Sequence, residues 1–155
     1  ALAESAGFEH LAVDALHMVA IVAPADEQDT LNRRALLMAS SSVDPRARQW
    51  RASLLNNIGW TAFDRADYLD ALALFQDALA ARLEQGKVSE IQVARWCIGR
   101  TLRALGRFDE ALAVQQSLAD EHRASGTSDQ YVDEELEALR VAIAQTSTTP
   151  EPGTA

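Results

Sequence analysis

Arg100, Arg103 and Arg107 recur at intervals of three and four residues, which sets three guanidinium groups on one side of a helix. With Arg95 they give this stretch a basic side that can take a carboxylate or phosphate in forked geometry. The competing use of the same residues is structural, in ion pairs with acidic neighbours such as Asp64, Asp67 or Glu137. A second line, His10, Asp14 and His17, spaces metal-ligand residue types at four and three. Zinc asks for more ligands in tight geometry, and neither an HExxH motif nor a cysteine pair accompanies the line. No metal and no cofactor is therefore assigned. Cys97 stands on an apolar line beside Ile98 and is expected to be buried and inert. Glu134 and Glu135 read as paired carboxylates on an exposed helical turn, there for solubility. The chain has no GxSxG elbow, no phosphate loop and no Gly-rich dinucleotide turn, so no catalytic residue is assigned and an enzyme is not expected.

The elements that position these residues follow from composition and period. Of 155 residues, 48% are apolar and 24% charged, with Ala and Leu dominant and few β-branched runs, which points to an all-α protein. A chain of this length buries a core of one domain's size without disulfides, and its single cysteine excludes an internal one. No apolar run is long enough to span a membrane, and no secretory leader is evident, so a cytoplasmic protein is the expectation. The formal charge of −9, without a basic stripe interleaved with aromatics, argues against nucleic acid as a partner.

Along the chain, Leu11, Ala15, Met18 and Val22 mark the apolar face of a first helix over residues 8 to 22, stopped by Pro24. Asp26 is placed to cap a second helix carrying Leu31, Ala35 and Met38. Ala1 to Ser5 read as the tail of an earlier helix, and a start at Ala rather than Met leaves room for preceding chain. Asp44-Pro45 opens a helix running to about Arg65, with Leu54 or Leu55, Ile58, Ala62 and Phe63 inward. Asp67 is expected to cap the next helix, with Ala71, Leu72, Phe75, Ala78, Leu79 and Leu83 inward and Gly86 at its end. Ser89 and Gln92 form a capping-box pattern before a helix holding Val93, Trp96, Cys97, Ile98 and Leu102. Its partner runs from Phe108 to about Ser125. A last helix, about Asp129 to Gln145, lines up Val132, Leu136, Leu139 and Ile143 and has no second half. The polar stretch from Thr146 to Ala155 is expected to be a disordered tail. The domain expected is 1–145, with hairpins at about 8–42, 44–86 and 89–126 and a capping helix at 129–145.

The hairpins repeat. Ile98-Gly99, Leu105-Gly106 and Phe108-Asp109-Glu110-Ala111-Leu112 follow Ile58-Gly59, Arg65-Ala66 and Tyr68-Leu69-Asp70-Ala71-Leu72 at forty residues, without a gap. Leu55, Ile58, Gly59 and Ala62, then Tyr68, Ala71, Phe75 and Ala78, resemble the two helices of the tetratricopeptide repeat. Repeats of forty rather than the usual length, and the run LLNNIG, resemble those of kinesin light chains and bacterial peptide-sensing regulators. The resemblance implies a right-handed α-solenoid of about seven helices in stacked antiparallel hairpins.

It also implies a concave groove lined by the first helix of each hairpin. By that likeness the groove candidates are Asp14 and His17, then Asn57, Trp60 and Asp64, then Trp96, Arg100 and Arg103. Asn57 sits where the family often holds a peptide backbone through an amide, a group that both donates and accepts. Trp60 and Trp96 have a competing place in the packing between helices. The function implied is a scaffold that binds a peptide or a partner's helix. Self-assembly into a homo-oligomer is the alternative, motivated by the incompletely capped first hairpin, and a small-molecule or metal sensor comes third.

Overall fold

The computed structural model describes residues 2–147, and among these every regular element is a helix. They are α1 (Leu2–Val22), α2 (Ala25–Ser41), α3 (Pro45–Arg48), α4 (Arg51–Asp64), α5 (Tyr68–Gln85), α6 (Val88–Ala104), α7 (Phe108–Ala124) and α8 (Gln130–Ser147). The protein is an all-α, tetratricopeptide-like helical repeat. The expected disordered tail falls almost wholly outside the described residues. Thr146 and Ser147 are exceptions and continue α8, with Thr146 donating its hydroxyl to the Ile143 carbonyl at 2.8 Å. Residues 2 to 5 belong to α1 itself rather than to an earlier helix.

Two compact units divide after Ala94. In the first, α1 packs on α2, α4 on α5, and α2 on α4. Val13, Ala35, Ala39, Ala47 and Leu54 form one buried cluster, with Leu16 and Trp50 against it. In the second, Leu118, Val132 and Leu136 are buried, with Trp96, Leu112 and Val114 against them. The apolar line read for α8 is thus inward, and Asp133, Glu134 and Glu137 face water.

The helix opened by Asp44-Pro45 is divided into a single turn, α3, and the longer α4; counting the two as one, the described residues form the seven helices expected. Asp44 caps it, its Oδ1 accepting from the Arg46 N–H at 2.9 Å. The Trp50 N–H then bonds three residues back, to Ala47 at 3.1 Å, tightening one turn while Gln49 and Trp50 keep right-handed helical backbone angles. Other cap expectations shift. The second helix starts at Ala25, so Asp26 lies inside it, and Ser89 likewise lies inside α6. Asp67 stands at the N-cap of α5 without a side-chain capping bond.

Positions forty apart share their geometry. Phe75 fills the space where a Cβ on Gly59 would stand, 2.7 Å away, and the Gln115 amide approaches Gly99 in the same way at 2.5 Å. Only a residue without a side chain allows these helices to come so close. The following turns match too. Ala66 and Gly106 both take positive φ (62° and 73°), and the next N–H in each reaches back five residues, Asp67 to Ala62 and Arg107 to Leu102, both at 2.9 Å.

The expected apolar lines hold for most helices and fail in one. On α1, Leu11, Ala15, Met18 and Val22 are all exposed, while Val13 and Ala20 are buried. The helix is apolar on two faces, and the smaller residues meet α2. Leu83 and Val93 are exposed as well, one on the last turn of α5 and one lining a small cleft with Asn56 and Ala78. Cys97 is buried as expected.

Candidate functional site

In the first unit, α1, α2 and α4 enclose a cleft of about 220 Å³ lined by Ala20, Ile21, Gln28, Asn32, Asn57, Trp60, Thr61 and Asp64. Three of the sequence candidates, Asn57, Trp60 and Asp64, therefore share one cavity. They do so because α4 carries them at intervals of three and four on the side left over after Leu54, Ile58 and Ala62 turn into the core. Trp60 sits edge-on to the Phe75 and Phe63 rings at 5.1 and 5.2 Å, so one face of the indole belongs to the packing. Asn57 Nδ2 stands 3.5 Å from His17 Nδ1, joining the α1 candidate to the rim. His17 also rests on the Trp50 ring, 4.8 Å between centroids. Asp14 is half-buried one turn earlier on α1 and does not line the cleft.

Asn32 was not among the sequence candidates. It is 5% exposed and lines the cleft, and its Oδ1 is buried with no hydrogen-bond partner. A buried amide oxygen left without a donor costs about 1–3 kcal/mol, which sets Asn32 apart from the apolar residues around it. Its signal in the sequence is modest: Asn32 interrupts the line Leu31, Ala35, Met38 as a polar residue on an inward face.

The His10, Asp14, His17 line does not converge. His10 faces Asp44, with Nδ1 3.6 Å from Oδ2, while His17 faces Trp50 and Asn57. Asp44 in turn accepts two guanidinium bonds from Arg46 (3.0 and 3.2 Å), and Arg46 holds its carboxyl below the usual aspartate range. Among the described residues, no group of three or more His, Cys, Asp or Glu is placed to hold a metal ion.

A larger cleft of about 780 Å³, also in the first unit, opens where the α3–α4 junction meets the end of α5 and the start of α6. It is lined by Arg46, Arg48, Arg51, Arg82 and Lys87 against Glu84 and Glu90, a local reversal of the chain's negative charge. Arg82 bonds Ser53, Gln85 and Glu90, and Lys87 bonds Glu90 at 3.0 Å. The Lys87 bond, aided by Arg82, keeps the Glu90 carboxyl below its ordinary range. The run Pro45 to Arg51, with three arginines in seven residues, was the available signal.

In the second unit, Arg100 and Arg103 meet on one carboxylate. Arg100 donates to Glu135 Oε1 at 2.9 Å, and Arg103 forks across Oε2 and Oε1 at 2.7 and 2.9 Å. Glu135 is 3% exposed, so it is not the solubilising surface residue the sequence suggested. The acid that pairs with this arginine face is Glu135 rather than Asp64, Asp67 or Glu137. Glu135 lies three residues after Val132 and four before Leu139, on the inward side of α8. Its hydrogen bonds, helped by its charge, raise the Arg103 guanidinium above its ordinary value. Arg107 leaves the group and forks onto Glu110 at 2.6 and 2.7 Å. Trp96 donates its indole N–H to the Tyr131 carbonyl at 3.0 Å, and the Arg100 guanidinium carbon lies 5.4 Å from its ring centroid.

Among the described residues, no helix is long and apolar enough to cross a membrane. No curated protein and no solved structure matches the chain. Residues 51–84 match the family model for the tetratricopeptide repeat, a span that takes in α4 and all of α5 but its last residue. The chain therefore carries a tetratricopeptide repeat at residues 51–84, a unit that generally mediates protein–protein interaction.

Proposed function

We propose that the protein is a non-enzymatic interaction module that holds a peptide or a partner's helix on the α1–α4 side of its first unit. The observation that carries this reading is a single cleft that brings the Asn57 amide, the Trp60 ring and the Asp64 carboxylate together beside Asn32. The Asn57 amide can both donate to and accept from a peptide group. The cleft accommodates a side chain or a few backbone atoms of an extended ligand, and Trp60, braced by Phe75, gives it a rigid wall. His17 and Asp14 extend the same surface along α1. In the second unit, two arginines on one buried glutamate keep a net positive charge, and with Trp96 they offer an anchor for a ligand carboxylate.

The experiment is a peptide library selected on the wild-type chain, with the winners measured by calorimetry against Asn57→Ala and Asp64→Lys. Both residues lie outside the buried core, so the helical spectrum and melting temperature should stay close to wild type. Binding should weaken by about tenfold or more in Asn57→Ala, the loss of roughly one amide pair. Winners that bind both variants as tightly as wild type would remove this cleft from consideration.

A further inference from the structure

α1 is apolar on two opposite faces. Val13, Leu16 and Ala20 meet the rest of the first unit, whereas Phe8, Leu11, Ala15, Met18, Val19 and Val22 form a continuous stripe on the other side. The five large side chains of the stripe are 68%, 51%, 57%, 51% and 82% exposed, in chain order. A helix with two apolar faces is built to be covered on both. The stripe carries no charge of its own. Asp14 flanks it on one side, and Glu9, on the other, is bonded to the Ser42 hydroxyl at the α2–α3 junction.

The order of the stripe is self-complementary. A two-fold axis through Ala15 that sets two α1 helices antiparallel places Phe8 opposite Val22 and Leu11 opposite Val19, with Met18 opposite Ala12 beside the stripe. Ala15 then faces its own copy. Bulky residues lie at the two ends and the one small residue at the centre, where two helix backbones approach most closely. At these exposures the five side chains present roughly 600 Å² per copy, the upper end of what a monomer ordinarily leaves bare. Two copies that cover it fully bury about 1,200 Å² together, the lower limit of a specific interface.

We propose that this face is a dimer interface, α1 packing antiparallel on α1 of a second copy about Ala15, with micromolar affinity. The proposal is independent of the peptide-binding cleft. Sedimentation equilibrium from about 1 μM to about 500 μM should show the mass rising from one copy toward two over that range. Met18→Glu and Leu11→Glu should remain single copies throughout, with an unchanged helical spectrum, because both side chains are exposed in the isolated chain. Register is tested by oxidation. Ala15→Cys should form a disulfide-linked dimer, since the two sulfurs meet on the axis. Leu37→Cys, exposed on α2 and off the stripe, should not, nor should the wild type, whose Cys97 is buried. Three results would each overturn the proposal: a single copy at every concentration, a dimer that survives both glutamate variants, or a Leu37→Cys link as rapid as that of Ala15→Cys. The first would assign the stripe to a different protein or to preceding chain.

Discussion

Glu135 has given up nearly all of its hydration, and only the bonds from Arg100 and Arg103 replace it. Removing its charge leaves two guanidinium groups facing each other. Because both arginines are themselves about one-third exposed, they can partly rehydrate. We therefore expect Glu135→Gln to destabilise the second unit by about 2 kcal/mol, below the 3–5 typical of a broken, fully buried pair. Arg100→Gln should cost under about 1 kcal/mol, since Arg103 keeps both bonds to the carboxylate. Thermal or urea melts of the two variants check this, and a Glu135→Gln curve superimposed on wild type would mean that the charges offset their own desolvation and no more. At this scale the sequence was informative about residue types and weak about partners. The arginine face was legible as ion-pairing, but its acid is thirty-odd residues away on α8, and adjacent carboxylates in an acidic helix look alike until a packing direction separates them. Asn32 is the parallel case in the first unit, a polar residue on an inward face whose significance depends on the neighbouring α1 and α4.

The turn between α4 and α5 shows a different limit. Ala66 adopts the left-handed backbone that Gly106 adopts in the corresponding turn before α7. An L-residue with a Cβ costs about 1–2 kcal/mol there, and glycine recovers most of this while losing about 0.4–1 kcal/mol to the freedom of the unfolded chain. Ala66→Gly should therefore stabilise the protein by about 0.5–1 kcal/mol, and Gly106→Ala should destabilise it by a similar amount. Paired denaturant titrations measure both, and a loss of stability in Ala66→Gly would show that the chain-entropy term dominates. Helix existence, order and the forty-residue correspondence were legible because glycines, prolines and apolar periods mark them locally. Which face of α1 turns inward was not. Leu11, Ala15, Met18 and Val22 form a sound amphipathic pattern, and so do Val13, Leu16 and Ala20, so period alone cannot choose between them. Closeness to α2 decides in favour of the smaller set, as the Gly59 and Gly99 contacts also favour small residues where helices approach.

For the whole molecule, two electrostatic effects oppose each other as pH falls. At pH 7 the chain carries −9, and this self-repulsion relaxes as carboxylates take up protons. Against it stand carboxyls whose folded values are depressed by direct bonds: Asp44 by Arg46, Glu90 by Lys87, Glu110 by Arg107 and Asp120 by Arg123. A depressed group binds fewer protons folded than unfolded, so its contribution is complete above its unfolded value and disappears as pH falls through its folded one. Ordinary Asp and Glu values near about 4 place both the relief of repulsion and the loss of these bonds below about pH 5. The melting temperature should thus stay nearly level from pH 7 to about pH 5 and then fall below about pH 4, as the depressed carboxyls are protonated. Added salt at pH 7 should raise it, because long-range repulsion is screened more than the contact pairs. Asp44→Asn separates the two effects. It removes a capping acceptor of full charge, so its melting temperature at pH 7 should be lower than wild type, while its acid limb should be shallower because one depressed carboxyl no longer has to be protonated. A wild-type curve that stays level or rises below about pH 4 would place the balance the other way, with relief of nine excess negative charges outweighing the bonds lost on protonation.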